Sequence, residues 1–412
     1  GKGAPSGGGP ALPAGHVEAW AIAAPGLESL LEAELRALGI AGRADAGGVA
    51  WTGDLRSVMR ANLHSRLATR VLVRTARFRA TTFWELERLA AKVEWGRFVA
   101  PGTAVAFRVT CRKSKLYHSD AVAERLGRAV TRAVKGTTWV DAPEEPEGDD
   151  AAGVAPAPAG AKGSAAGPQL FIARFDHDQL LLSADSSGAP LYMRGWRQAV
   201  AKAPLRETLA AALLVASGWE ESAPLLDPMC GSGTIAIEGA LRARGIAPGL
   251  GRSFAFERWP RFDAAGWAAL REEARAAELP RAPAPIVATD RDEGAIVAAR
   301  ANAVRAGVEG DIRFDARALS ALAGDTDLAA LAGGAGWLVS NPPYGVRVGD
   351  RDRVRDLWSA IGRVARERLP GWTIALLSPE ERLEGQVGLE FRDALRTRNG
   401  GIPVRVVVGR AE

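Results

Sequence analysis

From Pro204 onward, short apolar runs alternate with helical stretches, and several of those runs stop at an aspartate. LRETLAAALLVASG has the apolar spacing of a helix, PLLDPMC reads as a buried strand, and GSGTIAIEGALRAR is helical again. PIVATD and IRFD follow as short strands ending in Asp, then WLVSNPP, WTIALLS and PVRVVVG. Strands that alternate with helices mean a parallel, doubly wound α/β sheet. Residues 249–280 carry turn residues with Trp259 and Trp267, and read as an insertion between the first helix and the second strand.

Asp227-Pro-Met-Cys-Gly-Ser-Gly-Thr234 closes one such strand and opens a helix. Gly231 and Gly233 let the backbone approach a ligand, and the helix N-terminus offers free N–H groups. The turn lacks the G-x-G-x-x-G order of a dinucleotide fold and the G-K-[ST] of a P-loop, so neither NAD nor ATP is favoured. Asp290 ends PIVATD, where a doubly wound fold places an acceptor for ribose hydroxyls. Asp315, in IRFDAR, is suited to an adenine amine. Either acid alone reads equally well as a turn or cap; in order, at successive strand ends, they describe an adenosine site.

Asn341-Pro-Pro-Tyr344 follows a buried strand and sets the reaction class. The exocyclic amine of a base is a poor nucleophile because its lone pair is delocalised into the ring. An alkylating enzyme must hold the N–H groups on acceptors so that the lone pair turns to the methyl donor. The Asn341 amide oxygen and the Pro342 carbonyl, kept in place by the rigid Pro342-Pro343 pair, suit that task, and Tyr344 can stack on an extruded base.

The first half has a different texture. A helix over Gly26–Leu38 stops at Gly39, and strands at 70–78 and 104–110 and helices at 82–91 and 119–134 make an α+β pattern. LFIARFDHDQLLLSADSS alternates like a β-hairpin. Residues 60–140 hold 17 Lys and Arg against five Asp and Glu, a surplus of 12 within a chain of net charge +5. That concentration points to a polyanionic partner, although 46 of the 53 basic residues are Arg and part of the excess reads as compositional drift. A stretch of Pro, Ala, Gly and acids over about 141–167 reads as a disordered insertion, and residues 1–15 as a floppy tail without the apolar core of a signal peptide. No run approaches 18 apolar residues, so no membrane helix is expected. Two distant cysteines and four scattered histidines argue against a disulfide framework or a metal site, and fit a reducing cytoplasm. Trp20, Trp219 and Trp337 fall at helix or strand positions and read as core.

These motifs resemble the class I S-adenosylmethionine-dependent RNA methyltransferases that carry a THUMP domain. They are most similar to the bacterial large-subunit ribosomal RNA guanine-N2 enzymes and their tRNA relatives. DPMCGSGTIAIEGA and NPPYGVRVG are similar to the family's cofactor and catalytic motifs, and GWRQAVAKAPLRETLAAALL to the stretch leading into the catalytic domain. CRKSKLYHSDAVAERLGRAV resembles the THUMP strand–loop–helix, and PGLESLLEAELRALG the opening of a ferredoxin-like domain. The resemblance implies a ferredoxin-like domain at 16–69, a THUMP domain at 70–190 and a Rossmann-like methyltransferase domain at 200–412. It implies S-adenosylmethionine, and no metal, held by Asp227, Pro228, Met229, Cys230, Gly231, Ser232, Gly233, Thr234, Asp290, Arg291, Asp315, Ala316 and Asn341. Asn341, Pro342, Pro343 and Tyr344 would hold the target base, and Arg112, Lys113, Lys115 and Tyr117 would grip structured RNA. Guanine N2 in large-subunit (23S) ribosomal RNA is the implied target. A tRNA guanine is the alternative; adenine N6, a protein amide or a catalytically dead RNA-binding adaptor are rivals further off.

Overall fold

The computed structural model describes residues 15–144, 167–198, 205–324, 334–344 and 351–412. The tail up to residue 14 and most of the acidic Ala/Pro/Gly insertion lie outside them.

The first half builds one sheet. It opens with β1 (His16–Ala23), α1 (Glu28–Ala37), β2 (Arg43–Asp45), β3 (Gly48–Asp54), α2 (Leu55–His64) and β4 (Ala68–Arg79). It continues through α3 (Phe83–Ala90), β5 (Ala104–Arg112), α4 (Ser119–Ala133), β6 (Thr138–Trp139), β7 (Gln169–Asp176) and β8 (Gln179–Asp185). Asp54 caps α2, its carboxylate accepting the Ser57 N–H at 2.8 Å, and the Thr82 hydroxyl caps α3 by accepting from Glu85 N at 3.2 Å. β7 and β8 are the hairpin that the alternation predicts. Its two-residue turn, His177-Asp178, has both φ values positive, as the twist of a tight hairpin requires. The strand order is β2-β3-β1-β4-β8-β7-β5-β6, and the antiparallel β4–β8 ladder makes the two halves of this region continuous. β6 and β7 both pair with β5, so the insertion interrupts a single sheet.

The second half contains α5 (Glu207–Ala216), β9 (Leu225–Asp227), α6 (Thr234–Ala243), α7 (Ala264–Ala276), β10 (Ile286–Asp290), α8 (Glu293–Ala306) and β11 (Ile312–Ala316). β12 (Trp337–Ser340), α9 (Arg351–Arg368), β13 (Thr373–Ser378), α10 (Glu381–Val387), β14 (Arg392–Asn399) and β15 (Ile402–Arg410) complete it. The order β11-β10-β9-β12-β13-β15-β14 confirms the doubly wound arrangement, with one correction. β9 to β13 run parallel, but β15 runs antiparallel to β13 and to β14, so the sheet is mixed. α7 fills the segment read as an insertion, burying Trp267 and Leu270. Trp20 and Trp219 are buried as expected, and Trp337 is half-buried.

The halves are joined by buried polar contacts and a close backbone approach. The Arg194 guanidinium meets the Glu238 carboxylate on α6 at 3.2 Å with both side chains essentially inaccessible. Arg252 donates to the carbonyls of Ser187, Ala189, Pro190 and Met193, and burial lowers its pKa to about 9. Gly26, ahead of α1, has φ +88°, and a Cβ there would sit 1.9 Å from the Arg396 carbonyl oxygen on β14. Among the described residues no helix is long and apolar enough to cross a membrane.

Candidate active site

The chain order reverses between β9 and β12, which lie side by side, and the side chains of interest collect at the carboxyl ends of these strands. β9 ends at Asp227, which is fully buried and accepts from Ser340 Oγ at 2.6 Å and from Met229 N at 3.2 Å. Burial pushes the Asp227 carboxyl up to about 7; the two hydrogen bonds oppose that rise and the charge of Asp290 adds to it. Ser340 is the last residue of β12 and immediately precedes the tetrapeptide Asn341–Tyr344, so this one bond ties the end of β9 to the end of β12.

The turn after Asp227 is held from several sides. Gly231 N–H donates to Asp290 Oδ2 at 2.9 Å, Cys230 N–H donates to the Thr289 carbonyl, and Asp290 Oδ1 accepts from Asp292 N. Gly233 has φ +85°, and a Cβ there would lie 3.0 Å from the Ala299 methyl of α8, so the helix packs directly on the bare turn. Burial, with the carboxylates of Asp227 and Asp290, drives the Cys230 thiol well above its ordinary range; it is packing, as its position in the turn suggests. Pro228, Ser232 and Thr234 are buried, Met229 half-buried and Arg291 exposed. Asp315 ends β11 with Ala316, its carboxylate 2.9 Å from Arg317 Nε.

Three supporting residues were not singled out in the sequence. Asn302 on α8, fully buried, donates to the Ser232 carbonyl at 3.1 Å. Arg197 donates to Thr234 Oγ1 at 3.0 Å and pairs with Glu207 at 3.1 Å, which anchors the segment before α5 against the turn. Ser340 is the third. Its signal was present, a serine closing an otherwise apolar strand.

In the tetrapeptide, Tyr344 OH donates to Asn341 Oδ1 at 2.6 Å, which fixes the amide and leaves its second lone pair for a substrate N–H. Tyr344 is half-buried and burial raises its hydroxyl pKa. In this arrangement its hydroxyl orients Asn341. The Pro343 carbonyl accepts from Trp358 Nε1 at 3.2 Å, whereas the Pro342 carbonyl has no partner among the described residues and is available as an acceptor. The arrangement suits a charged nucleoside: a turn bare of side chains at two positions, with the partly exposed carboxylates of Asp290 and Asp315 as acceptors and Asp227 buried behind the turn.

On β5 and the loop after it, Arg112, Lys113, Lys115 and Tyr117 are all exposed while Leu116 is buried beneath them. The loop is locked to the β7–β8 turn: Asp178 Oδ1 accepts from Lys115 N at 2.8 Å, and Asp178 N donates to Ser114 Oγ at 3.0 Å.

Residues 194–405 match the family model described as the RMKL-like methyltransferase domain, and residues 18–72 match the RlmL ferredoxin-like domain. A Synechocystis protein named provisionally as an RNA methyltransferase is 32% identical over 93% of this chain and 94% of its own length. The ribosomal RNA large subunit methyltransferase K/L of Syntrophotalea carbinolica is 34% identical over 95% of this chain, which spans about half (53%) of that relative. The crystal structure of SMU.472, named provisionally as a methyltransferase and complexed with SAH, superposes with a TM-score of 0.77 at 26% identity, covering 96% of this chain and 98% of that one. The methyl donor is S-adenosylmethionine, and the acceptor-lined turn after Asp227 fits it. On the strength of a family model that covers half its length and a relative that matches it nearly end to end, the chain belongs to the RMKL-like methyltransferase family.

Proposed function

We propose that this chain methylates the exocyclic N2 of a guanine in large-subunit (23S) ribosomal RNA. The observation that carries the reading is Asn341, held by Tyr344 at the carboxyl end of β12, beside the Pro342 carbonyl, which has no partner among the described residues. Two acceptors at that point take the two N–H bonds of an amine and turn its lone pair outward. S-adenosylmethionine, when bound, supplies an activated methyl on a sulfonium centre, so the protein has to align and polarise, with no covalent enzyme intermediate. Asp227, Asp290 and the turn between them would hold the donor, with Asp315 taking the adenine amine.

An RNA target is supported by the exposed, pre-ordered cations Arg112, Lys113 and Lys115 on the THUMP-like unit and by the names of the K/L relatives. These contacts reach phosphate more than base edges, so the shape of the RNA would select the site. Guanine N2 and the large-subunit RNA follow from the resemblance of the catalytic half.

The test is transfer of labelled methyl to unmodified ribosomal RNA and unmodified tRNA side by side, with the product nucleoside identified by mass spectrometry. N2-methylguanosine in the ribosomal RNA is the expected product. The same nucleoside in tRNA alone would keep the chemistry and replace the substrate. Asn341→Ala should lower kcat on the order of a hundredfold, as loss of alignment at a reacting atom does; full activity in that variant would remove Asn341 from the catalytic assignment.

A further inference from the structure

Tyr344 also forms one wall of a cavity of about 390 Å3 outside the carboxyl end of β13. The other walls come from the first turn of α9, the Pro379-Glu380 corner, α10 and the start of β15. None of the cofactor-turn residues lines it, so it is a separate compartment on the β12–β13 side of the site.

Its chemistry is specific. Among the described residues that line it, three guanidiniums, Arg351, Arg355 and Arg382, face two carboxylates, Asp352 and Glu380, a surplus of one positive charge. Arg355 is already engaged by Asp352 at 3.4 Å and by Asp356 at 3.2 Å. Arg351 and Arg382 have no partner among the described residues. Nearby Arg405 shows what pairing looks like here: it reaches Glu384, Asp393 and Glu381 at 2.6, 3.2 and 3.3 Å. Between the charges lie the apolar surfaces of Val354, Leu383 and Ile402.

The volume falls within the ~300–1,000 Å3 typical of sites for small molecules, too large for a lone inorganic ion. A surplus of one positive charge over the described walls matches a monoanion and not a polyphosphate, and the apolar floor suits the carbon face of a ribose. We propose that the cavity holds the nucleotide adjoining the methylated one in the RNA chain, its phosphodiester on Arg351 and Arg382 and its sugar against Leu383 and Ile402. This rests on the reading of the chain as an RNA methyltransferase. Tyr344 places the compartment next to the reaction, lining it while its hydroxyl fixes Asn341, so a nucleotide seated here holds the RNA chain beside the acceptors.

The test compares the wild-type chain with an Arg351→Gln/Arg382→Gln double variant in steady-state methylation of RNA. Both side chains are exposed, so the fold is not at stake. The KM for RNA should rise about tenfold, the size of a lost charge-assisted contact. The slope of log affinity against log salt should flatten by about one, as expected for one phosphate contact. The kcat at saturating RNA and the affinity for S-adenosylhomocysteine, read by calorimetry, should stay at the wild-type level. Arg368→Gln, at the other end of α9, controls for loss of charge alone and should keep the wild-type KM. An unchanged KM and slope in the double variant, or an equal rise in the control, overturns the proposal and leaves the RNA-methylating activity standing. No transfer to any RNA by the wild-type chain overturns that activity first, and this subsite with it.

Discussion

Ser340 stands directly before Asn341-Pro-Pro-Tyr344, and its hydroxyl is committed to the buried carboxyl of Asp227. Removing a donor from a buried acceptor costs more than the bond itself was worth, because the acceptor is left dry. Ser340→Ala should therefore lower stability by about 1–3 kcal/mol, read by denaturant titration. The loss should be larger at pH 8 than at pH 5, because the hydroxyl helps to hold the ionised form. Asp227 makes a second pH-dependent prediction. Its folded pKa of about 7 lies above the ordinary 3.8, so the folded chain holds the proton more tightly than the unfolded one. That contribution is complete below pH 4 and is lost as pH rises through 7. The cofactor-free chain should lose Tm over that interval, and Asp227→Asn, which cannot ionise, should lose markedly less. Equal pH dependence in the two proteins would show that the Asp227 carboxyl is ionised across the interval.

At the scale of elements, what could be read in advance depended on whether the information was local. β9, β10, β12 and β13 are short apolar runs bounded by turn chemistry, and each was legible. β14 was not: Arg-Asp-Ala-Leu-Arg-Thr-Arg-Asn is an edge strand, half of its residues exposed, with little apolar alternation, and its place comes from pairing with β15. That same hairpin makes the sheet mixed where alternation alone predicted a parallel one. The site divides in the same way. Asp227, Asp290, Asp315 and the tetrapeptide each sit in a contiguous motif. Asn302, Arg197 and Ser340 act through hydrogen bonds that span 70, 37 and 113 positions, and no spacing rule reaches that far. The loop over Arg112–Lys115 is an intermediate case: its cations and the β7–β8 hairpin were visible, but the contact by which that hairpin's turn orders the loop was not. Asp178→Gly keeps the positive φ of that turn and deletes the carboxylate beneath Lys115. RNA affinity should fall several-fold and the Lys115 amide should exchange faster with solvent, while global stability changes by about 1 kcal/mol or less. Unchanged RNA binding would mean that the loop does not touch RNA.

Across the whole molecule, one apolar cluster runs from Val17 in the first sheet to Val408 in the second without interruption. The buried Arg194–Glu238 pair and the carbonyl cage around Arg252 lie along the same seam. Such a seam makes the two sheets one cooperative unit, and if RNA is gripped by the first sheet and methylated at the second, their relative placement is part of the active site. Gly26 tests this at a distance from both surfaces. Its φ of +88° and the Arg396 carbonyl, 1.9 Å from where a Cβ would be, leave no room for any side chain, and the obstacle is backbone that cannot swing away. Gly26→Ala should cost about 2–4 kcal/mol, the sum of left-handed strain and overpacking. Part of that cost is relieved by letting α1 lift from β14. Calorimetry should then show a single unfolding transition broadening or splitting, while affinity for S-adenosylhomocysteine should hold if the turn after Asp227 is its site. Methylation of RNA should fall more than RNA binding does, because both surfaces survive and only their registration is lost. A variant with the full drop in stability but an unchanged ratio of methylation to binding would show that the halves need not be held in register, and that the first sheet serves as a tethered RNA-binding module.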